Sequence, residues 1–142
     1  MRLVNQAQRI TALQQVPLLC CLTRPVVGEL ARRTEEVKVA KGAFLYREGD
    51  GSGEVYVVLD GSLVVRRDRR EIATPKKGDF LGEMSLIDGM PHSADVVAQE
   101  DSVVLVVHRR DFEELLEIPQ VSRTVMQELT SRLRETDDKH LD

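Results

Sequence analysis

Between positions 35 and 109 the chain repeats short β-rich apolar runs punctuated by Gly, Asp or Pro, and on either side of that block the apolar spacing turns helical. The runs are Val37 to Val39, Phe44 to Tyr46, Val55 to Leu59, Leu63 to Arg67, Glu71 to Ala73, Phe80 to Leu81, Ala94 to Ala98 and Val103 to Val107. Many short strands with closely spaced turn signals predict a barrel or jelly roll, not βαβ units. Asp60-Gly61, between two of the runs, predicts a hairpin. Asn5 to Gln15 predicts a helix with Ile10 and Leu13 on its apolar side, and Pro25 to Thr34 a second with proline in its first turn. Asp111 is expected to cap a helix over Phe112 to Glu117. A last helix is expected from Gln120 to about Asp137, where Val121, Val125, Leu129 and Leu133 form a narrow i, i+4 stripe. The pattern is mainly β with flanking α: a double-stranded β-helix, or jelly-roll-like β-roll, between N-terminal and C-terminal helices.

Composition fits one domain. The chain has 142 residues, 42% hydrophobic and 31% charged, enough to bury a single core. A net charge of −4 gives no electrostatic case for nucleic acid. The apolar runs are too short for a membrane span, and no apolar segment follows a basic start as in a signal peptide, so a cytoplasmic protein is expected. Cys20 and Cys21 are adjacent, which suits neither a disulfide nor a zinc knuckle, and they read as part of the apolar segment Leu18 to Leu22.

The segment Gly78 to Ala98, GDFLGEMSLIDGMPHSADVVA, carries the candidate chemistry. A short strand runs into Gly82, then Glu83 and a helix-competent stretch, Met84 to Ile87, that Asp88-Gly89 stops. Gly82 leaves the backbone unobstructed, and the N–H groups that follow open a helical turn, so a phosphate there would feel the positive end of a dipole. Glu83 beside an anion site makes sense if its carboxylate accepts hydrogen bonds from sugar hydroxyls. The bland reading of the same dipeptide is an ordinary strand-to-helix turn with a solvated acid.

Other chemistry finds less support. A cupin-type metal site needs a histidine pair on one strand, and His92, His108 and His140 are nowhere two residues apart, so no metal is expected. Ser85 and Ser93 have only His92 as a nearby base and no nucleophile elbow, so no enzyme is expected. Arg66, Arg67, Arg69 and Arg70 flank a hairpin tip and read by default as a solvated edge, with a partner or anionic surface as the alternative.

Val16-Pro17-Leu18-Leu19, Lys41-Gly42, Glu48-Gly49-Asp50, Tyr56-Val57, Asp60-Gly61, Gly78-Asp79, Gly82-Glu83, Ser85-Leu86, Pro91, Ser93-Ala94, Val96, Ala98 and Phe112 follow one another in an order that resembles the cyclic-nucleotide-binding domain. This is the β-roll module of cyclic-AMP-dependent kinase regulatory subunits, gated channels and catabolite-activator-type regulators. The resemblance spans roughly Leu13 to Leu133. It implies one domain over 1–142, with N-terminal helices in 1–34, a β-roll in 35–109 holding a phosphate-binding cassette in 80–95, and lid helices in 111–137. It also implies a ligand, cAMP or cGMP. Carried over residue by residue, Gly82 gives an N–H to the phosphate, Glu83 accepts from the ribose 2′-hydroxyl, Met84 and Ser85 offer N–H groups at the helix start, and Ser93 lies beside the phosphate.

The departure from the family is His92, which stands where an arginine clamps the phosphate. Imidazole, with a reference pKa of about 6.5, is mostly neutral at pH 7 and offers one bond where arginine offers two and a permanent charge. Three readings of His92 stay open: a weakened, pH-dependent clamp, a pocket retuned to another ligand, or a vestigial pocket. Asp95, opposite Ala94 and Val96 in the strand alternation, is expected to face solvent. Nothing in the sequence brings a basic residue of the 66–70 hairpin to the clamp's place. The expected function is therefore a cyclic-nucleotide sensor that relays binding through its C-terminal helices to an unidentified protein partner. The alternative is a degenerate β-roll that serves as an interaction or dimerisation module. The Val121 to Leu133 stripe is the candidate homodimer face, and no DNA-binding domain is expected because the resemblance uses nearly the whole chain.

Overall fold

A computed structural model describes residues 4–16, 19, 22–51, 53–82, 90–127 and 130. Two helices, α1 (Gln6–Leu13) and α2 (Arg24–Arg32), precede eight strands: β1 (Glu35–Val39), β2 (Phe44–Tyr46), β3 (Glu54–Asp60), β4 (Leu63–Arg67), β5 (Arg70–Ala73), β6 (Phe80–Leu81), β7 (Asp95–Ala98) and β8 (Ser102–His108). Helix α3 (Arg109–Leu116) follows, and the chain is helical again over 119–127, here α4. The strands form two four-stranded antiparallel sheets, one in the order β1-β8-β3-β6 and the other β2-β7-β4-β5. The expected mainly-β roll with flanking helices is the architecture observed.

Strand alternation sorts the core into two parts. On β3, Val55 and Val57 pack with the helices, whereas Tyr56 and Val58 point between the sheets. On β8, Leu105 and Val107 face the helices, and Val104 and Val106 face the roll. The first sheet is thus buried on both faces, which is why β8 reads as an almost unbroken β-branched run.

The helices present the stripes that their spacing predicts. Asn5 caps α1 through a capping box, its Oδ1 accepting from Gln8 N at 2.8 Å while Gln8 Oε1 accepts from Asn5 N at 3.0 Å. Ile10 and Leu13 of α1, Val27 and Leu30 of α2, Phe112 and Leu115 of α3, and Val121 and Val125 of α4 are all buried in the helix-side core. The first two positions of the C-terminal stripe are therefore spent on the chain's own core. Leu129 and Leu133 lie outside the described residues.

Two turn assignments from the sequence do not hold. Asp60-Gly61 joins β3 to β4, but these strands belong to different sheets, so the dipeptide is a corner and not a hairpin. Its glycine is required by close approach: at φ +88° a Cβ would overlap Ser102 and come within 2.7 Å of Asp101 O. Ser62 N completes the corner by donating to Ser102 Oγ at 3.1 Å. The two-residue hairpin lies at Asp68 and Arg69, both at positive φ, between β4 and β5. Asp111 does not cap α3 either. His108, the last residue of β8, is the N-cap, Arg109 N donates to Gly53 O at 2.6 Å, and Asp111 falls inside the first turn, 3.5 Å from Arg33 Nη1. A carboxylate there suits the helix dipole as well as a cap would.

Candidate ligand site

Strand β6 pairs with β3, Tyr56 opposite Leu81 and Val57 opposite Phe80, and delivers the chain to Gly82 at φ +78°. Gly82 thus holds the left-handed conformation that glycine adopts without steric cost. The expected site residues Glu83, Met84 and Ser85 lie outside the described residues. The chain is described again from Met90, and it brings His92 and Ser93 to the entry of β7.

Backbone bonds fix His92 on both sides. Its N–H donates to Asp50 O at 3.0 Å, and its carbonyl accepts from Gly49 N at 2.8 Å. The 47–50 turn is in turn held by Arg47 N donating to Asp50 Oδ2 at 2.9 Å, and by Glu48 N donating to Asp95 Oδ1 at 2.7 Å. Asp95 does lie opposite the buried Ala94 and Val96, as expected. Its carboxylate is not simply solvated, however, because it anchors this turn.

The His92 side chain enters the roll and is 8% exposed. Its ring stacks on Tyr46, with centroids 3.6 Å apart and planes inclined by 12°, and Tyr46 in turn tilts against Tyr56 at 5.6 Å. Tyr56 Oη donates to Glu54 Oε2 at 3.3 Å. His92 Nε2 is buried and has no hydrogen-bond partner among the described residues. Burial lowers the His92 pKa from its ordinary 6.5, against the opposing pull of the Glu54 and Asp50 carboxylates. Burial also raises the Tyr46 and Tyr56 phenols, Tyr56 with help from Glu54, so both rings are neutral at physiological pH.

One arginine of the 66–70 hairpin does reach this place. Arg67 Nε donates to Ser93 O at 3.2 Å and Arg67 Nη2 to Ser93 Oγ at 3.0 Å, so this exposed cation is also tethered to the entry of β7. Arg66, exposed as well, lies instead 4.0 Å from Glu71.

Residues 36–118 match the family model described as the cyclic nucleotide-binding domain. The chain belongs to this family. As a cyclic nucleotide-binding domain it is 39% identical over 116 residues to the Pycsar effector protein PaPycTIR of Pseudomonas aeruginosa, covering 78% of this chain and 38% of that protein. It is 31% identical over 104 residues to the cAMP-dependent protein kinase regulatory subunit of Hypocrea atroviridis, covering 73% of this chain and 22% of that one. The domain therefore spans well under half the length of these relatives. The N-terminal domain of a transcriptional regulator from Streptomyces coelicolor A3(2) superposes with a TM-score of 0.83 at 28% identity, covering 92% of this chain and 96% of that one.

Two residues that touch His92 or Ser93 in this cyclic nucleotide-binding domain escape a reading of the sequence. Tyr46 reads only as a strand residue, yet a register shift between Phe44 and Tyr46 lets Tyr46 join Leu45 against the roll interior. Arg67 reads as one of four similar cations, although period-two alternation puts it on the strand face of Leu63 and Val65, at the exposed end of β4. Among the described residues no group of His, Cys, Asp or Glu could hold a metal ion, and no helix is long and apolar enough to cross a membrane.

Proposed function

We propose that this domain senses a cyclic nucleotide, cAMP or cGMP, and relays its binding through the C-terminal helices to a protein partner. The observation that carries the reading is the buried His92 ring inside the roll of a cyclic nucleotide-binding domain, with Nε2 lacking a partner among the described residues. A buried polar atom left unsatisfied costs about 1–3 kcal/mol, which a phosphate oxygen accepting from Nε2–H would recover. In this assignment Gly82, Met84 and Ser85 seat the phosphate with their N–H groups, Glu83 accepts from the ribose, His92 donates to the phosphate, and Ser93 lies beside it. The function is binding and relay, not catalysis, on a single domain.

A bound phosphodiester favours the imidazolium, so affinity rises as pH falls from 8 to 6. Because burial holds ligand-free His92 below its ordinary 6.5, the rise continues under that pH. Glu54 and Asp50 already favour the charged ring, and the neutral phenols of Tyr46 and Tyr56 contribute no charge of their own.

The relay needs only that ligand prefer one arrangement of the helices. The double-faced first sheet supports it, since β3 and β8 carry roll residues and helix-side residues in alternation. The burial of Val121 and Val125 favours a relay within the chain over a dimer through that stripe.

Thermal unfolding with cAMP and with cGMP at pH 6 and 7.5 tests the reading. A ligand at about a hundred times its Kd stabilises by about 2.7 kcal/mol, or roughly 5–10 °C in Tm for a domain of this size. A Tm unmoved by millimolar nucleotide overturns the sensor and leaves the interaction module.

A further inference from the structure

We propose that Arg67 supplies, from β4, the guanidinium that the cassette lacks at His92, so that the phosphate of the ligand is clamped from across the roll. The proposal rests on the cyclic-nucleotide reading above. Its support is local geometry. On β4, Leu63 and Val65 belong to the roll interior, and Arg67 continues that face to the mouth, while Arg66 pairs with Glu71 and lies opposite Asp95 in register. The turn at Asp68 and Arg69 ends the strand there, and Arg67 spans to Ser93 through Nε and Nη2. A guanidinium has five N–H donors, and these two bonds leave three. Among the described residues Arg67 forms no ion pair with a carboxylate.

This arrangement separates two properties that a cassette arginine would combine. A guanidinium brings a permanent charge, whereas burial disfavours the charged form of His92, which contributes a directed hydrogen bond. Ser93 sits between them, its carbonyl and hydroxyl orienting the guanidinium and its backbone continuous with His92. An anionic phosphodiester meets its permanent counter-charge on β4 and its pH-dependent donor on the cassette.

Titration calorimetry with cAMP and cGMP tests this on the wild type and on R67A, R67Q, R66A and the double variant R67A/H92R. R67A and R67Q are expected to weaken binding by about ten- to a hundredfold, R67Q because an amide can still reach Ser93 but carries no charge. R66A is expected to bind as the wild type does, and H92R is expected to restore much of what R67A loses. Adenosine and guanosine, which lack the phosphate, should not distinguish R67A from the wild type. Wild type that binds neither nucleotide overturns the sensor and this clamp together. Wild type that binds while R67A stays within about twofold of it overturns the clamp alone. An R67A loss that is equal for the phosphate-free nucleosides assigns Arg67 to structure and overturns the clamp as well.

Discussion

The imidazole of His92 lies flat on the phenol of Tyr46, 3.6 Å between ring centres, with the buried Nε2 edge unpaired among the described residues. Burial of the ring disfavours its protonation and so gives His92 a share in the pH dependence of stability. Below the ordinary histidine pKa the unfolded chain takes up a proton that the folded one resists. The unfolded state then binds more protons, so stability is intact above pH 6.5 and is lost as pH falls below it. Urea unfolding at pH 7.5, 6.5 and 5.5 should show wild type losing more stability on acidification than H92F, by up to about 1.4 kcal/mol per pH unit within the window. Equal pH dependence of the two proteins refutes this.

Tyr46→Ala removes the ring that covers His92. A loss of about 2–3 kcal/mol in chemical denaturation is expected, from the cavity and the lost stack. Histidine NMR titration should then find the His92 pKa moved up toward 6.5 as water reaches the ring, and Y46F should leave both quantities nearly unchanged.

His92→Arg is expected to tighten cAMP or cGMP binding by about tenfold or more, because a permanent, two-pronged donor replaces a mostly neutral one. An unchanged Kd in a protein that binds shows that the missing cassette arginine does not limit affinity.

Gly61 and Gly42 share a positive φ, and alanine at the two should separate strain from crowding. At Gly42 an added Cβ would find nothing within 4 Å, so G42A pays only the left-handed conformation, about 1–2 kcal/mol. At Gly61 the Cβ meets Ser102 and the Asp101 carbonyl, so G61A should cost clearly more or abolish folding. Comparable denaturation midpoints for the two variants argue against the tight corner.

Val125→Ala should cost about 1–3 kcal/mol, with an unfolding midpoint independent of protein concentration, because the side chain is buried in the chain's own core. A midpoint that rises with concentration instead assigns the α4 stripe to a dimer.

Strand positions were legible because β-branched runs separated by Gly, Asp and Pro leave little choice of element. Which strands pair was not, and Asp60-Gly61 shows why: a turn signal specifies the local backbone, whereas sheet membership is decided by Ser102 and Asp101, forty residues along the chain. Gly82, His92 and Ser93 are candidates from motif order alone, and what the structure adds is the surroundings of His92 and Ser93. Arg67 and Tyr46 were not singled out, because one needed its strand face followed past the last apolar residue and the other depends on a register shift. The error at Asp111 has a similar origin, since a strand that runs directly into a helix uses its own last residue as the cap.

Strand β8 sets Val104 and Val106 against the roll, and Leu105 and Val107, one residue away, against the helices. Its methyl groups are therefore two interleaved sets of reporters on one rigid backbone. Nucleotide that fills the roll without moving the helices would shift the NMR signals of the first set alone, and a domain that transmits its occupancy would shift both, so a single labelled strand distinguishes holding a ligand from announcing it.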